Sequence, residues 1–377
     1  MISLDKEQIY LLELIKASLF GKTPEIPEDA NWEKIFEAAK SQCIVPLLTS
    51  CVPTEYRDKW NSIAYQSKAH YMQMIYEQNA LVKLLADDAI QFVILKGTAA
   101  AIYYPNPLLR SFGDIDIYVS EQNLDSVLNL IKENGYVYLS CDDRHYEFRK
   151  NGLDIELHSK FSCEYYRDID HIILNGLNNA VEYKLYDCFF SGLPACENGL
   201  VLLGHIMQHL KGSGIGLRQI IDWMMFVHKE LDDKTWEICF KSLVGEAGLE
   251  KFAKSITFMC IKWLGLPDNI SWCDDADEDV SDQLLIYILD DGNLGQDRPL
   301  YEIIRDSMKA EGAYAFLQRV GTEKWPLAKN NFFRPFAWIY LFCRYICQGI
   351  KVLFTDRNLF YKHKHKMRRE DLLKQLE

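Results

Sequence analysis

The sequence predicts an α+β fold: a mixed β-sheet with helices, flanked by N-terminal and C-terminal all-helical regions. Three observations carry this expectation. Residues 3–90 repeat apolar side chains at helical spacing. Residues 88–160 instead break into short, β-branched runs punctuated by glycine. From about residue 198 the helical period returns and persists to the end. The expected units are therefore 1–87 (helical), 88–195 (the α/β core) and 196–377 (helical).

In the first unit, Leu11, Leu12, Leu14, Ile15 and Leu19 mark one helical stripe, and Met72, Ile75, Leu81, Leu84 and Leu85 mark another. Pro24, Pro27 and Pro53 punctuate them. The core opens with Ile90–Leu95, a buried strand that breaks at Lys96-Gly97. Thr98–Tyr104 reads as a short helix closed by Pro105 and Pro107. A strand over Asp114–Val119 and an amphipathic helix over Glu121–Asn134 follow. Three further strand candidates are Tyr136–Leu139, His145–Lys150 and Asp154–His158, the last two joined by the hairpin signal Asn151-Gly152. In the last unit, Pro267 and the acidic loop Asp274–Asp279 mark a joint.

With 377 residues the chain exceeds one small core. It is 49% hydrophobic and 25% charged, as expected of a soluble globular protein that needs no staples. A net charge of −12 argues against a dedicated DNA or RNA binder. It leaves room for a small anionic ligand, because a bound metal inverts the local field. The 11 cysteines are scattered without a Cys-x-x-Cys pair, and the charged start Met-Ile-Ser-Leu-Asp-Lys-Glu lacks an apolar core. Reduced thiols in the cytoplasm are expected. The apolar stretch Phe336–Phe354 carries Arg344 and Lys351, so a buried helix is expected there rather than a membrane span. The basic run Lys362–Arg369 reads as a solvated end.

Chemistry gathers on two strands. Alternate side chains of a strand share a face, so Asp114 and Asp116 point one way with Tyr118, while Ile115, Ile117 and Val119 point into a core. Two carboxylates that close repel each other, and a divalent cation between them makes the arrangement favourable. Their hard oxygens suit Mg2+ or Mn2+ rather than zinc. Asp154, Glu156 and His158 alternate in the same way. Side by side, the two strands would present Asp114, Asp116 and either Asp154 or Glu156 to one point, enough to hold two metals. An Asp-x-Asp run alone commonly only caps a turn. Here Lys96-Gly97-Thr98 adds a strand-to-helix turn whose amides can face a phosphate, and Arg110 adds a guanidinium able to fork onto phosphate oxygens. No Walker pattern is present.

In this order, these motifs resemble the superfamily that shares the DNA polymerase beta palm, with its glycine turn, acidic-x-acidic strand and third acidic strand. More narrowly, Leu95-Lys96-Gly97, Tyr104-Pro105, Arg110, Asp114-Ile115-Asp116 and Glu156-Leu157-His158 resemble the uncharacterised nucleotidyltransferase family of bacteria. The family's histidine-bearing helix and its Leu-Arg…Asp helix are matched by His205, His209, Leu217-Arg218 and Asp222, so the resemblance spans about residues 85–235. It implies a nucleotidyltransferase palm. Asp114, Asp116 and Glu156 would bind metal and act catalytically, and Lys96, Gly97, Thr98, Arg110, Arg218 and Asp222 would hold nucleotide. By position Glu156, not Asp154, is the third ligand. The chain departs from the pattern twice: Lys-Gly-Thr stands where Gly-Ser is common, and glutamate stands where aspartate is.

Asp154, His158, His205 and His209 are expected to line the cleft. His205 and His209, one turn apart on a helix face, lack the Glu of a His-Glu-x-x-His zinc motif. The glycine-rich Lys211–Gly216 opens the next helix, where Arg218 and Asp222 are either a surface ion pair or groups facing the nucleotide. The expected activity moves a nucleoside monophosphate from a nucleoside triphosphate, ATP being expected, to an acceptor hydroxyl with two divalent metals. The rivals are a catalytically weak nucleotide-binding module and a toxin-like transferase acting on protein or tRNA. The sequence names no acceptor.

Overall fold

The computed structural model describes residues 4–141, 145–161, 169–212, 214–293 and 369–377, together with Pro335, Trp338, Ile339 and Met367. The expected helix over Phe336–Phe354 and the basic run Lys362–Arg369 lie outside the described residues, apart from those named.

Local signals start the helices. Asp5 and Gln8 form a reciprocal capping box ahead of α1 (Lys6–Phe20), which ends at Gly21 in the left-handed region. Then come α2 (Trp32–Ser41), the short α3 (Val45–Leu48) and the 31-residue α4 (Arg57–Asp87). On α4, Tyr71, Met74, Leu81 and Leu85 are buried. Met72, expected in that stripe, is 56% exposed. Its neighbours Tyr71 and Met74 supply the core face instead, because the apolar run is wider than the buried arc.

Among the described residues the sheet has seven strands: β1 (Phe92–Leu95), β2 (Ile115–Val119), β3 (Val137–Cys141), β4 (His145–Lys150), β5 (Leu153–His158), β6 (Val181–Leu185) and β7 (Cys188–Gly192). Their spatial order is β3-β4-β5-β2-β1-β7-β6. β1 and β2 run antiparallel, β2 pairs parallel with β5, and β1 pairs parallel with β7. α5 (Gly97–Ala101) follows β1, and α6 (Leu124–Glu133) follows β2. Asn151 and Gly152 both have positive φ, as a type I′ hairpin turn requires. β6, β7 and the preceding α7 (Asp170–Asn178) extend the sheet unit beyond the expected strands. Their hairpin turns at Tyr186-Asp187 without glycine, Tyr186 itself adopting φ 55°, so the sequence carries no turn signature there.

The sheet is covered on both faces. Ile115, Ile117, Val119, Ile155 and Leu157 pack with Val127 and Ile131 of α6 and with Tyr71, Leu81 and Leu85 of α4. On the other face Val93, Leu95 and Tyr118 join a larger core with α8 (Ala195–Lys211) and α9 (Leu217–Glu230). Double coverage explains why β1 reads as an uninterrupted apolar run. The larger core also contains Leu11, Ile15 and Phe36, so the N-terminal helices pack with the later ones. Gln42, only 2% exposed, locks them together: its side chain donates to Ile288 O at 3.0 Å and accepts from Leu217 N–H at 2.7 Å. That second bond seats the first turn of α9. Among the described residues no helix is long and apolar enough to cross a membrane.

Candidate active site

Strand register builds the site. Leu95 lies opposite Asp116 on β1–β2, and Asp116 lies beside Glu156 on β2–β5. The residue after Leu95, Lys96, is thereby delivered to the same point. Ligand oxygens of Asp114, Asp116 and Glu156 lie within 4.8 Å of one another. Asp116 is 1% exposed. Strand parity does the rest: Ile115 and Ile117 are held in the opposite core, so the carboxylates point away from it. Asp154, the alternative third ligand, is turned to the partner strand, where Arg149 Nε donates to its Oδ1 at 2.6 Å.

Basic groups meet these acids. Lys96 Nζ lies 2.5 Å from Asp116 Oδ1 and 3.9 Å from Glu156 Oε2. His158 Nε2 lies 2.9 Å from Asp116 Oδ1 and 3.3 Å from Glu156 Oε2. Lys96 achieves this with φ 48° and ψ −134°, a conformation that costs a non-glycine residue about 1–3 kcal/mol. Gly97 follows at φ 31°, so two consecutive residues turn the chain sharply from β1 into α5. Burial opposes the Lys96 charge, but Asp116, Glu156 and Asp114 outweigh it and hold the ammonium pKa above its usual value. Burial and the neighbouring Asp116 raise Asp114 above the usual carboxylate range. Burial also pushes Glu156 upward, yet the His158 hydrogen bond and Lys96 prevail and lower it. For His158, burial is outweighed by hydrogen bonds to Asp116 and Glu156, and its pKa is raised.

Above the carboxylates is a cleft of about 270 Å³, walled by Lys96, Gly97 and Gly113 on the sheet side and by Leu202, His205, His209 and Arg218 on α8 and α9. The His205 and His209 rings meet edge to face at 4.3 Å. Burial first, then the charges of Lys96 and its neighbours, drive His205 well below the usual histidine pKa.

Arg110 and Asp222 were both expected to face nucleotide. They bind each other: Arg110 Nε and Nη2 donate to the two Asp222 oxygens, each at 2.7 Å. Tyr104 Oη also donates to Asp222 at 2.7 Å. This buried, bidentate pair joins the sheet unit to α9, and Asp222, at 3% exposure, pairs with Arg110 rather than forming the alternative surface pair with Arg218. Arg218 instead donates to Ser111 O at 3.2 Å, and its buried Nε finds no acceptor among the described residues. Thr98, another expected nucleotide contact, donates its hydroxyl to Gln78 Oε1 at 2.8 Å.

A family model described as an uncharacterised nucleotidyltransferase matches residues 28–265. The chain belongs to that family. No curated protein matches it. Membership makes this a transferase of nucleotidyl groups in general terms, with a nucleotide substrate. The match spans part of the N-terminal helices, the whole sheet and α8–α9, and so takes in every wall of the cleft.

The three carboxylates fit a hard divalent cation: their oxygens converge, and one is fully shielded from solvent. Sequence reasoning missed several groups that line the cleft, notably His145, Glu147 and Lys160. His145 and Glu147 had a usable signal. A two-residue turn at Asn151-Gly152 fixes His145 opposite His158 and Glu147 opposite Glu156.

Proposed function

We propose that the protein transfers a nucleoside monophosphate from a nucleoside triphosphate, with ATP as the expected donor, to an acceptor hydroxyl. The observation that carries the reading is the convergence of Asp114, Asp116 and Glu156 at the floor of a cleft between the sheet and two helices. These carboxylates would hold two divalent metals, Mg2+ or Mn2+. When bound, such metals neutralise the triphosphate and align attacking and leaving oxygens.

The protein's own residues divide the remaining work. Glu156, kept ionised by His158 and Lys96, would accept the proton of the acceptor hydroxyl at Oε2 as its oxygen attacks the α-phosphorus and pyrophosphate leaves. Arg218 supports triphosphate binding best, since it lines the cleft and its buried Nε finds no acceptor among the described residues. Lys96 and the Gly97 turn would meet the phosphates from the sheet side. Arg110 and Asp222 act by fixing α9 against the sheet and so setting the cleft width. His205 and His209 would line the side where the acceptor enters.

The test is incubation with labelled nucleoside triphosphates and Mg2+, comparing Asp116→Asn with wild type. Pyrophosphate release by wild type and a loss of about 100- to 1,000-fold in the variant are expected, the size of a transition-state charge term. Turnover untouched by the substitution would sink the assignment. The close Lys96–Asp116 contact supports a second reading, a nucleotide-binding module of weak activity in which the ammonium balances the acid pair. Tight triphosphate binding without pyrophosphate release, over a broad acceptor panel, would select it.

A further inference from the structure

The hairpin β4–β5 places more than a proton donor next to the carboxylates. His145 and His158 are cross-strand partners, their rings 5.1 Å apart. Ligand atoms of His145, Glu156 and His158 all lie within 4.8 Å of one another. This group differs in chemistry from the all-oxygen trio at Asp114, Asp116 and Glu156. Two imidazole nitrogens and one carboxylate, with room left for another ligand, form the donor set that borderline transition ions select. Hard ions such as Mg2+ avoid it.

From this geometry we infer a further metal position of different preference, formed by His145, Glu156 and His158 and suited to a borderline divalent transition ion of the Zn2+ or Fe2+ class. Glu156 belongs to both groups. It can therefore bridge an ion on the hairpin side to one on the Asp114–Asp116 side. The backbone is already arranged for this. The Asn151-Gly152 turn fixes the register, and Leu153, Ile155 and Leu157 anchor β5 in the core behind it. His158 is 7% exposed, so its ring is held by its surroundings. Tetrahedral coordination at roughly 2.1 Å needs donors about 3.4 Å apart, so donor atoms that lie within 4.8 Å of one another would draw closer as an ion binds. Glu147 lines the same wall, with its Oε1 3.4 Å from His145 Nε2, and can orient that ring or complete the shell.

Occupancy of this position does not depend on nucleotidyl transfer, so its test uses metal binding. The full-length protein, freed of metal by chelation and dialysis, is titrated with Zn2+ by calorimetry and with Co2+ by visible absorption. Wild type is expected to bind one such ion at the hairpin and to give the intense d–d bands of a low-coordinate Co2+ site. His145→Ala should weaken Zn2+ by at least about tenfold and bleach those bands, while circular dichroism shows an unchanged fold. Asp114→Asn should leave the bands in place. The cysteine thiols are the same in all three proteins, so they do not mimic the difference. Equal binding by wild type and His145→Ala would overturn the inference. So would loss of the bands in Asp114→Asn with retention in His145→Ala, which would locate the ion in the all-carboxylate trio. Failure of the transfer assay alone would bear on the proposed activity and leave this result standing.

Discussion

Arg110 and Asp222 show how little of a residue's role its charge announces. Two full charges are buried at 5% and 3% exposure, and the cost of desolvating them is repaid by two parallel hydrogen bonds. Removing one partner leaves the other charged, buried and unpaired. Arg110→Met and Asp222→Leu should each destabilise the fold by about 3–5 kcal/mol, whereas the double replacement of both should cost clearly less than the sum. Denaturant unfolding of the four proteins checks this, and strict additivity would show that the pair is not coupled. Thr98 is a smaller case of the same kind. Its hydroxyl, placed where a phosphate contact was expected, braces α5 against Gln78 of the long helix α4. Arg110 lines the cleft, whereas Thr98 is buried next to the lining residue Gly97. Their partners lie 20 and 112 positions away in the chain, and no local pattern names a partner at that distance.

At the scale of elements, the roof of the cleft depends on how closely α8 and α9 approach. Gly199 on α8 faces the Phe226 ring on α9 so tightly that a Cβ there would overlap it. Gly199→Ala should therefore destabilise by about 1–3 kcal/mol despite its better helix propensity, because overpacking outweighs the backbone gain. Thermal unfolding measures the sign directly; a rise in Tm would mean that the helices can separate at little cost. The same substitution should disturb triphosphate binding, since Arg218 rides on α9 and its first turn is seated by Gln42. Strand elements were more legible than this helix crossing. β4 and β5 begin and end close to where alternation and Asn151-Gly152 place them. β6 and β7 were invisible because their turn lacks glycine and β6 is largely exposed, so neither a turn residue nor an apolar face marks it.

For the molecule as a whole, the cleft contains a histidine that the fold keeps neutral. Burial, together with the positive charges around it, sets the folded pKa of His205 well below 6.5. The unfolded chain takes up that proton near 6.5, so unfolding binds a proton wherever the pH lies between the two values. Stability linked to His205 is thus fully present above 6.5 and is lost as the pH falls toward the folded value. His205→Gln should flatten the decline in unfolding free energy between about pH 7 and 5 relative to wild type. An unchanged slope in denaturant titrations across that range would remove His205 as a contributor.

The α+β class, the helix–sheet–helix order and the convergence of acids on two strands follow from the sequence by itself, because the period of apolar residues and the alternation along a strand are local consequences of backbone geometry. Asp114 and Asp116 could be read from that alternation, which left Asp154 and Glu156 open as the third acid until the family resemblance selected Glu156. Only the tertiary structure decided which group answers which. It set Lys96 on Asp116, Arg110 on Asp222 and Asp154 on Arg149, and it gathered α1–α3 into the same core as α8 and α9. Pairings of this kind depend on sheet order and helix crossing, where residues far apart in the chain compete for one buried partner. The outcome is set by which geometry satisfies the most buried charge at once.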